Sequence, residues 1–543
     1  MNQRVKVRPA ALLGPICAGG LAIACLLSAS GANAACEDLA KFPLKDGKII
    51  SAVPFAANAP IELSVIHIKL PAPIAFCRVA ATLTPTPDSA IMAEVWLPDP
   101  AQWNGKFFGI GNGGFGGTVA APALDMRTTL ARGYAAAGND LGHETPTFTI
   151  DASWAIGHPE KVKDFAFRAD HVTAEFAKTV IRAYYGRAPE LSYFRGCSNG
   201  GHEALMEAQK FPGDYDGIIA GAPANSWTHL MTGFLWNENA LFAKPDSKIP
   251  DSKLAIIQQA ALADCDALDG AKDGIINDPS VCHFDPRRLL CKGADAPECL
   301  TQPQLDALRK IYGGPVNPRT GKSIYPGYPP GSEALPQNWS AWITSASSNQ
   351  RQFANQFYGT VVLEKPGWDF RNFDFDKDVS RTDATIGPTI NSNDPDLSAF
   401  AARGGKLIVF QGWSDAAVTP WGTIDYYRSL QKKMGAANAR RFVRLFMAPG
   451  MMHCGGGPGP NSFDTASAIE QWREKNTAPE QLVASRYANS IAALMGSPGK
   501  ALATRPVCAY PAVPHWTGKG SFDEAQNYVC RVSPSSNPRV AAR

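Results

Sequence analysis

The stretch Gly196-Cys197-Ser198-Asn199-Gly200 decides the fold of this 543-residue chain. It matches the pattern G-x-S-x-G, in which a serine occupies a sharp turn between a strand and a helix. The two glycines permit this turn and the close backbone packing that exposes the serine hydroxyl. The pattern also occurs by chance, and the alternative is a serine in an ordinary glycine turn. The sequence on both sides therefore has to decide between the two interpretations.

Strands and helices alternate around this stretch. Residues 191–194 predict a buried strand directly before it, and residues 203–211 predict a helix directly after it. The other predicted elements are strands at residues 90–97, 217–221, 406–410 and 442–446 and a helix at residues 165–185. Strands that alternate with helices indicate a mostly parallel sheet. Together with the serine turn, the pattern predicts an α/β fold of the α/β-hydrolase type.

The alternation stops in the middle of the chain. From about residue 225 to residue 394 there are four cysteines, an acidic cluster and several Trp, Tyr and Pro residues, without regular alternation. We interpret residues 225–394 as a large inserted lid domain, and residues 35–224 and 395–543 as the catalytic domain. A chain of 543 residues is too long for one simple hydrophobic core, which agrees with an insertion.

The N-terminus has the pattern of a secretory signal peptide. Three basic residues precede an apolar run at residues 10–27, and Ala32-Asn33-Ala34 offers a cleavage site. We predict that residues 1–34 are removed and that the protein is secreted or periplasmic, with no membrane association after cleavage. The alternatives are a membrane anchor and a lipoprotein beginning at Cys36. The lipoprotein signal requires a large aliphatic residue where Asn33 stands.

The charge distribution argues against one class of partner. The 52 Lys and Arg residues are interspersed with 49 Asp and Glu residues, for a net charge of +3. There is no basic stripe or arginine-rich tract of the kind that binds phosphate backbones. We therefore expect no nucleic-acid partner.

Two polar residues follow the later predicted strands. Asp415 follows the strand at residues 406–410, and His453 lies in a glycine-rich loop after the strand at residues 442–446. The chain order serine, acid, histidine is that of α/β-hydrolases. A serine hydroxyl needs a base, and the base needs a carboxylate that fixes its tautomer. We predict a catalytic triad of Ser198, Asp415 and His453; the alternative is an ordinary turn aspartate and loop histidine.

The cysteines predict disulfides around this triad. Ten of the twelve cysteines lie after residue 34, and an even number in an exported chain is typical of disulfide bonds. Sequence alone does not fix the connectivity. Nearness in the chain favours the pairs Cys36–Cys77, Cys265–Cys282, Cys291–Cys299 and Cys508–Cys530. The remaining pair, Cys197–Cys454, joins the neighbours of the predicted nucleophile and base. A zinc site is the alternative, but no C-x-x-C pair occurs.

The glycine-rich segment at residues 109–114 predicts an oxyanion loop. The backbone N–H of Gly114 would join that of Asn199 in stabilising the tetrahedral oxyanion, and losing one such donor typically costs roughly 3 kcal/mol. The segment also matches the dinucleotide pattern G-x-G-x-x-G. That site requires a helix directly after it, and residues 118–122 are a poor helix start.

An acidic cluster in the predicted lid is suited to a hard cation. Asp266, Asp269 and Asp273 lie close together with glycines between them. Ca²⁺ accepts carboxylate and main-chain oxygens together, although this spacing is not that of an EF-hand. From the residues alone, a solvated acidic turn remains an open alternative.

The chain resembles the tannase and feruloyl esterase family over essentially its whole mature length. The resemblance is carried by three motifs: Gly196-Cys197-Ser198-Asn199-Gly200-Gly201, Gly412-Trp413-Ser414-Asp415 and Pro449-Gly450-Met451-Met452-His453-Cys454. In that family the cysteines beside the serine and the histidine form a disulfide, which agrees with the pair above. The resemblance also implies a structural calcium ion in the lid, held by the side chains of Asp266, Asp269 and Asp273 and the carbonyl oxygens of Ala271 and Ile275.

The resemblance further implies a function. The expected enzyme is a secreted serine esterase whose partner is a small aromatic ester, of a feruloyl, galloyl or related phenolic acid. Arg351 resembles the position at which a terephthalate-monoester hydrolase of this family grips a free carboxylate, so mono(2-hydroxyethyl) terephthalate-type hydrolysis is an alternative. A surface ion pair is the other interpretation of Arg351. Phe357, Tyr358 and Trp368 are candidates for an aromatic wall or for the core. A noncatalytic binding protein on the same fold is a second alternative.

Overall fold

The structure is a computed structural model. It describes residues 34–532 except residues 64–67, 146–148, 490–491, 494–495 and 497. The predicted signal peptide lies outside the described residues, apart from Ala34, and stays a prediction.

The strands include all five predicted from the sequence. In chain order they are β1 (Gly47–Phe55), β2 (Pro60–Leu63), β3 (Ile68–Pro71), β4 (Phe76–Leu83), β5 (Ile91–Pro98), β6 (Lys106–Ile110), β7 (Ala135–Asn139), β8 (Leu191–Cys197), β9 (Gly217–Gly221), β10 (Lys406–Gly412), β11 (Val443–Ala448), β12 (Gln481–Tyr487), β13 (Ala501–Cys508), β14 (Ala512–Trp516) and β15 (Tyr528–Val532).

Nine of these strands form one mixed sheet in the order β1-β4-β5-β7-β6-β8-β9-β10-β11. The strands from β7 to β11 in that order are parallel, and β1, β4 and β5 extend the sheet in antiparallel fashion. The predicted α/β-hydrolase fold is confirmed, because a large mixed sheet with crossover helices is its architecture. The remaining strands pair as the small hairpins β2–β3, β12–β13 and β14–β15.

Helices cover both faces of the sheet. They are α1 (Ala120–Leu130), α2 (Pro159–Lys163), α3 (Ala169–Tyr185), α4 (Asn199–Lys210), α5 (Trp227–Phe242), α6 (Leu254–Cys265), α7 (Gln302–Gly313), α8 (Asn349–Gln356), α9 (Lys377–Thr385), α10 (Gly387–Ile390), α11 (Ser398–Ala402), α12 (Pro420–Met434), α13 (Ala436–Ala439) and α14 (Thr465–Lys475). Short 3-10 and π turns connect several of them.

Alternate residues of the buried strands supply two hydrophobic cores. In β9, Ile218 packs with residues of α3, α4 and α12, whereas Ile219 packs with residues of α1 and α14. Both isoleucines are about 1% exposed. A strand that is buried on both faces needs apolar residues at successive positions, which explains the continuous apolar runs in the sequence.

The segment between β9 and β10 adds no strand to the large sheet. It contains α5 to α11 and has a hydrophobic core of its own, which includes Leu241, Ile257, Leu308 and Trp339. The interpretation of this segment as an inserted lid domain stays a prediction. The domain boundaries at residues 225 and 394 stay a prediction.

All five predicted disulfides are present. They are Cys36–Cys77, Cys197–Cys454, Cys265–Cys282, Cys291–Cys299 and Cys508–Cys530. Within the described ranges, none of the helices is both long and apolar enough to span a bilayer.

Candidate active site

Ser198 lies at the turn between β8 and α4, as the G-x-S-x-G pattern predicts. Its backbone angles are φ 66° and ψ −118°, a conformation that L-residues rarely adopt. A Cβ atom on Gly196 would lie 2.3 Å from the carbonyl oxygen of Gly200, so a larger residue does not fit there. The Ser198 N–H donates to the Gly221 carbonyl at 2.9 Å, which fixes the turn against the neighbouring strand.

Asp415 and His453 are hydrogen-bonded to each other. The Nδ1 atom of His453 lies 2.8 Å from Oδ2 of Asp415. Both residues follow the carboxyl ends of adjacent parallel strands, β10 and β11, and the Ser414 N–H joins their loops by donating to the Met451 carbonyl at 2.9 Å. The contact leaves the other ring nitrogen, Nε2, available for proton transfer.

The Asp415 carboxylate is buried but fully hydrogen-bonded. It is 2% exposed, and it accepts from the backbone N–H groups of Ala417 and Val418 at 2.8 and 2.9 Å. The side-chain amide of Gln411 donates to it at 2.8 Å. Such donors offset the free-energy cost of burying a carboxylate. They also fix the Asp415 carboxylate in position against the His453 ring.

The Cys197–Cys454 disulfide joins the serine turn to the histidine loop. Its Cα atoms are 5.9 Å apart, and it links two positions separated by 257 residues in the chain. Cys454 has φ 59°, and its sulfur lies 3.8 Å from Nε2 of His453. The bond therefore joins the residue directly before the proposed nucleophile to the residue directly after the proposed base.

A narrow apolar cavity adjoins Ser198. Gly114 and Asn199 line it together with Ser198, which brings the predicted oxyanion residues to the predicted nucleophile. Its wall is mostly large and apolar, with Trp227, Leu230, Phe234, Trp342, Phe353 and Val418 among the lining residues. Trp342 also packs edge-on against His453, with ring centroids 5.3 Å apart.

The two predicted oxyanion donors have suitable backbone positions. Asn199 is the first residue of α4, so its N–H has no acceptor within the helix and lies at the positive end of the helix dipole. Gly114 has φ +61°, which favours glycine, and a Cβ there would lie 3.5 Å from the Phe353 ring.

A second cavity, of about 610 Å³, adjoins His453 instead of Ser198. It is lined by both members of the Cys197–Cys454 disulfide and by polar residues, including Arg195 and Asn461. The proposed nucleophile and base therefore line two cavities of different polarity.

The aromatic wall comes from residues that the sequence did not single out. Phe357 and Tyr358 are at most 1% exposed and belong to the hydrophobic core, whereas Trp342 and Phe353 line the cavity. Phe353 precedes Phe357 by four positions, so both lie on one side of the helical segment at different depths. A sequence pattern shows that two residues share one side of a helix, but it does not show which of them lines a cavity and which lies in the core.

The structure places Arg351 away from this cavity. Its guanidinium Nη1 lies 3.1 Å from Oε1 of Glu238, a side chain that is 1% exposed, although the contact is not aligned as a hydrogen bond. Burial raises the pKa of Glu238 to about 7, and the nearby Arg351 charge opposes that rise. Arg351 and Phe353 are two positions apart in α8, so they point to different sides of the helix.

The predicted calcium residues lie in one loop after α6. The Asp266 carboxylate accepts from the backbone N–H groups of Asp273, Gly274 and Ile275. Asp269 accepts from the Ala271 N–H at 2.8 Å. Carboxylates drawn together by a loop in this way repel one another unless a cation compensates them.

Two observations bear on whether this loop fits a cation. Oδ2 of Asp269 is buried without a hydrogen-bond partner, and burial raises the pKa of this carboxyl to about 7. The Asp269 carboxylate therefore has an oxygen that a cation could bind. Asp273, however, contacts the Arg505 guanidinium, and no group of three His, Cys, Asp or Glu side chains forms a metal site among the described residues. Of the predicted carboxylates, Asp269 therefore has a free oxygen for a cation, whereas Asp273 would share its carboxylate between the cation and Arg505.

Comparison with known proteins identifies the family. The family model "Tannase and feruloyl esterase" matches residues 77–531. The chain belongs to the tannase and feruloyl esterase family. It is therefore a carboxylic ester hydrolase.

Individual relatives agree with this membership. An uncharacterised esterase of Xanthomonas campestris pv. campestris is 41% identical, over 94% of each chain. Mono(2-hydroxyethyl) terephthalate hydrolase of Piscinibacter sakaiensis is 32% identical, over 80% of this chain and 81% of its own. The crystal structure of feruloyl esterase B from Aspergillus oryzae superposes with a TM-score of 0.83 at 27% identity, over 91% of this chain and 99% of its own.

Proposed function

We propose that the protein is an exported serine esterase that hydrolyses esters of aromatic carboxylic acids through Ser198, His453 and Asp415. The observation that carries the proposal is the Asp415–His453 hydrogen bond, which is tied by the Cys197–Cys454 disulfide to a serine in a strained turn. Strain at a turn that exposes a nucleophile is typical of this fold.

The acylation step follows from this arrangement. Nε2 of His453 takes the proton of the Ser198 hydroxyl, and Oγ forms a bond to the ester carbonyl carbon. The N–H groups of Gly114 and Asn199 stabilise the resulting oxyanion. Asp415 stabilises the imidazolium. As the intermediate collapses, the carbon–alkoxide bond breaks and His453 gives its proton to the leaving alcohol.

Deacylation reverses these roles. A water molecule loses a proton to His453, and its oxygen attacks the acyl carbon. The bond to Ser198 Oγ then breaks, and the serine takes the proton from His453. The products are the free acid, the alcohol and an unchanged enzyme.

The lining of the cavity at Ser198 supports an aromatic acyl group, and because the cavity holds only about 20 Å³ in this structure, its wall must move to admit a ring. Flat rings pack well against the aromatic and aliphatic residues that line it. We infer that feruloyl, galloyl or related phenolic esters are the substrate class. The terephthalate-monoester alternative has less support, because Arg351 is paired with Glu238 and does not line the cavity.

We also propose calcium as a structural ion. The side chains of Asp266, Asp269 and Asp273 and the carbonyls of Ala271 and Ile275 would hold it, and its charge would stabilise the acidic loop. No step of the reaction uses this site. Export is proposed from the N-terminal pattern and is consistent with five disulfides.

A substrate panel tests the proposal. Wild-type protein and Ser198→Ala are compared on methyl ferulate, methyl gallate, chlorogenate and mono(2-hydroxyethyl) terephthalate. We expect turnover of at least one phenolic ester by the wild type, and a loss of about 10⁴-fold or more in the variant. Retained turnover by Ser198→Ala would remove the assignment of the nucleophile.

A further inference from the structure

A buried carboxyl group connects the two segments that carry the proposed oxyanion donors. Glu203 lies in α4, one turn after Asn199, and is 1% exposed. Its Oε2 accepts from the backbone N–H of Asn112 at 2.9 Å, and its Oε1 accepts from the side-chain amide of Asn199 at 2.7 Å. One side chain therefore fixes the loop before Gly114 relative to the start of α4.

The Asn112 side chain completes the connection on the loop side. Its amide donates to the carbonyls of Thr118 and Asn139 at 2.9 and 2.8 Å, and its oxygen accepts from the Gly113 N–H at 2.8 Å. The backbone and the side chain of Asn112, two residues before Gly114, are thus both fixed by hydrogen bonds. A change at Glu203 would reach Gly114 through two intervening peptides.

A second acid, Asp170, lies behind Glu203. It is 4% exposed, it accepts from the Asn139 side-chain amide at 2.8 Å, and its charge acts directly on the Glu203 carboxyl. Two buried carboxyl groups that act on each other in this way do not both ionise without a compensating cation. Among the described residues, neither acid forms an ion pair with a basic side chain that would let both ionise.

Further titratable groups lie behind this pair. The Asp170 charge raises the pKa of Glu207, one turn further along α4, and both acids of the pair raise that of Tyr215. Asp214 acts on the same two groups, and the ammonium of Lys178, 5.5 Å from the centre of the Tyr215 ring, opposes the rise at Glu207. Burial raises the pKa of Asp170 to about 6 and that of Glu203 well above its ordinary value; the Asp170 charge raises the Glu203 pKa further, whereas the interaction with Glu203 opposes the rise at Asp170. One proton is therefore retained by the pair near neutral pH.

We propose that Glu203, supported by Asp170, is a positioning residue that aligns the N–H groups of Gly114 and Asn199 on the oxyanion. The inference rests on the proposed function, and it assigns a task to buried acids that touch neither substrate nor nucleophile. Because the oxyanion exists only after attack on the ester, misalignment raises the energy of the transition state and leaves ground-state binding unchanged.

The test compares Glu203→Gln with Glu207→Gln. Glutamine keeps the shape of Glu203 but replaces one acceptor oxygen with a donor, so either Asn112 or Asn199 loses its partner. Glu207 is equally buried on the same helix, and its carboxyl interacts with Asp214, whereas Asn112 and Asn199 donate to Glu203. It is therefore a matched control for disturbing a buried acid of α4.

We expect kcat of Glu203→Gln to fall about 100-fold, the scale of a displacement of about 1 Å at a catalytic group, with KM changed by less than about threefold. Inhibition by a boronic acid that forms a tetrahedral adduct should weaken in parallel, whereas inhibition by the product acid should not. Glu207→Gln should keep kcat within about threefold of the wild type. Equal kcat values in folded Glu203→Gln and Glu207→Gln would overturn the proposal.

A shorter acid covers the case in which Glu203→Gln does not fold. Glu203→Asp keeps a carboxyl group but lacks one methylene, so it cannot hold Asn112 and Asn199 together. Its kcat should fall in the same direction, and an unchanged kcat would overturn the proposal. If Ser198→Ala is inactive while both Glu203 variants keep wild-type kcat, only this inference fails. Turnover by Ser198→Ala would instead remove the proposed function.

The shared proton gives an independent readout. A carboxyl whose folded pKa is raised stabilises the fold fully below its unfolded pKa, and this contribution is lost as the pH rises through the folded pKa. Glu203→Gln removes that dependence. The difference in Tm between wild type and Glu203→Gln should therefore shift in favour of the variant from pH 5 to pH 8. A difference that stays constant would contradict the shared proton.

Discussion

The carboxyl ends of the parallel strands form one edge of the large sheet. This sheet edge and the insertion between β9 and β10 contribute to the candidate site in different ways. At the sheet edge, Ser198, Asp415 and His453 follow three strands whose spacing is set by backbone hydrogen bonds. In the insertion, the lining residues Trp342 and Phe353 come from a π turn and a short helix and are held by side-chain packing. The difference indicates that the sheet places the proposed triad and that the insertion shapes the cavity beside Ser198.

The two regions should therefore fail differently when they are altered. Changes at the sheet edge should lower kcat, because they displace reacting groups. Changes in the insertion should alter stability or the choice of substrate, because they move a wall. Three changes test this contrast, two of them beside a matched control variant.

Removal of the Cys197–Cys454 disulfide should have the largest effect. The double variant Cys197→Ala and Cys454→Ala should lose at least about tenfold in kcat at a temperature where circular dichroism shows it folded, because the serine turn and the histidine loop are no longer tied. It should also be less stable, since closing so long a loop contributes up to about 5 kcal/mol in the chain-entropy model.

The insertion offers a matched disulfide for comparison. Cys291–Cys299 spans only 8 residues and lies outside both cavities. Its removal should leave kcat within about twofold. Full activity in the Cys197 and Cys454 double variant would show that the bond at the sheet edge serves stability alone, and the contrast between the regions would be lost.

The acidic loop of the insertion should give an intermediate effect, on stability only. Chelation of calcium should lower Tm by about 5 °C, because a ligand that binds only the folded state stabilises it by mass action. Asp269→Ala should abolish that sensitivity and keep kcat. Differential scanning calorimetry with and without chelator measures the Tm of the wild type and of the variant, and kcat is measured separately on a phenolic ester.

A neighbouring acid provides the control for the calcium experiment. Asp264 is paired with Arg288 and lies outside the proposed ligand set. Asp264→Ala should keep the sensitivity to chelation. If chelation changes the Tm of neither the wild type nor any variant, the loop is an acidic turn in which Arg505 compensates the charge of Asp273.

Arg351→Ala should have the smallest catalytic effect. The ratio of kcat/KM between methyl ferulate and mono(2-hydroxyethyl) terephthalate should change by less than about twofold. Stability should fall by about 1–3 kcal/mol, because Glu238 is left buried without a charged partner. A selective rise in KM for the terephthalate ester would show that Arg351 leaves Glu238 to bind the substrate carboxylate.

The sequence predicted the sheet edge better than the insertion, for physical reasons. Parallel strands buried on both faces have continuous apolar runs, so the ends of β8 to β11 could be located to within three residues. The serine turn, the triad order and the five disulfides follow from local motifs and from chain order. These features depend little on how distant segments pack.

The aromatic wall of the cavity at Ser198 and the buried acids could not be predicted in the same way. Trp342 and Phe353 stand in an insertion without clear periodicity, where packing against α5 and the β10 loop decides which side chains line the cavity. Glu203 looks like an ordinary polar residue on a helix. Its role depends on Asn112, 91 positions earlier, and on Asp170 in another helix. Nothing in the local sequence shows that α4 is buried on this side.

Covalent labelling tests the central claim most directly. The folded wild-type protein is treated with a fluorophosphonate probe, and the modified peptide is identified by mass spectrometry. We expect a single adduct at Ser198, formed much more slowly in His453→Ala and absent in Ser198→Ala. An active preparation in which Ser198 remains unlabelled, or in which another residue carries the adduct, would contradict the account.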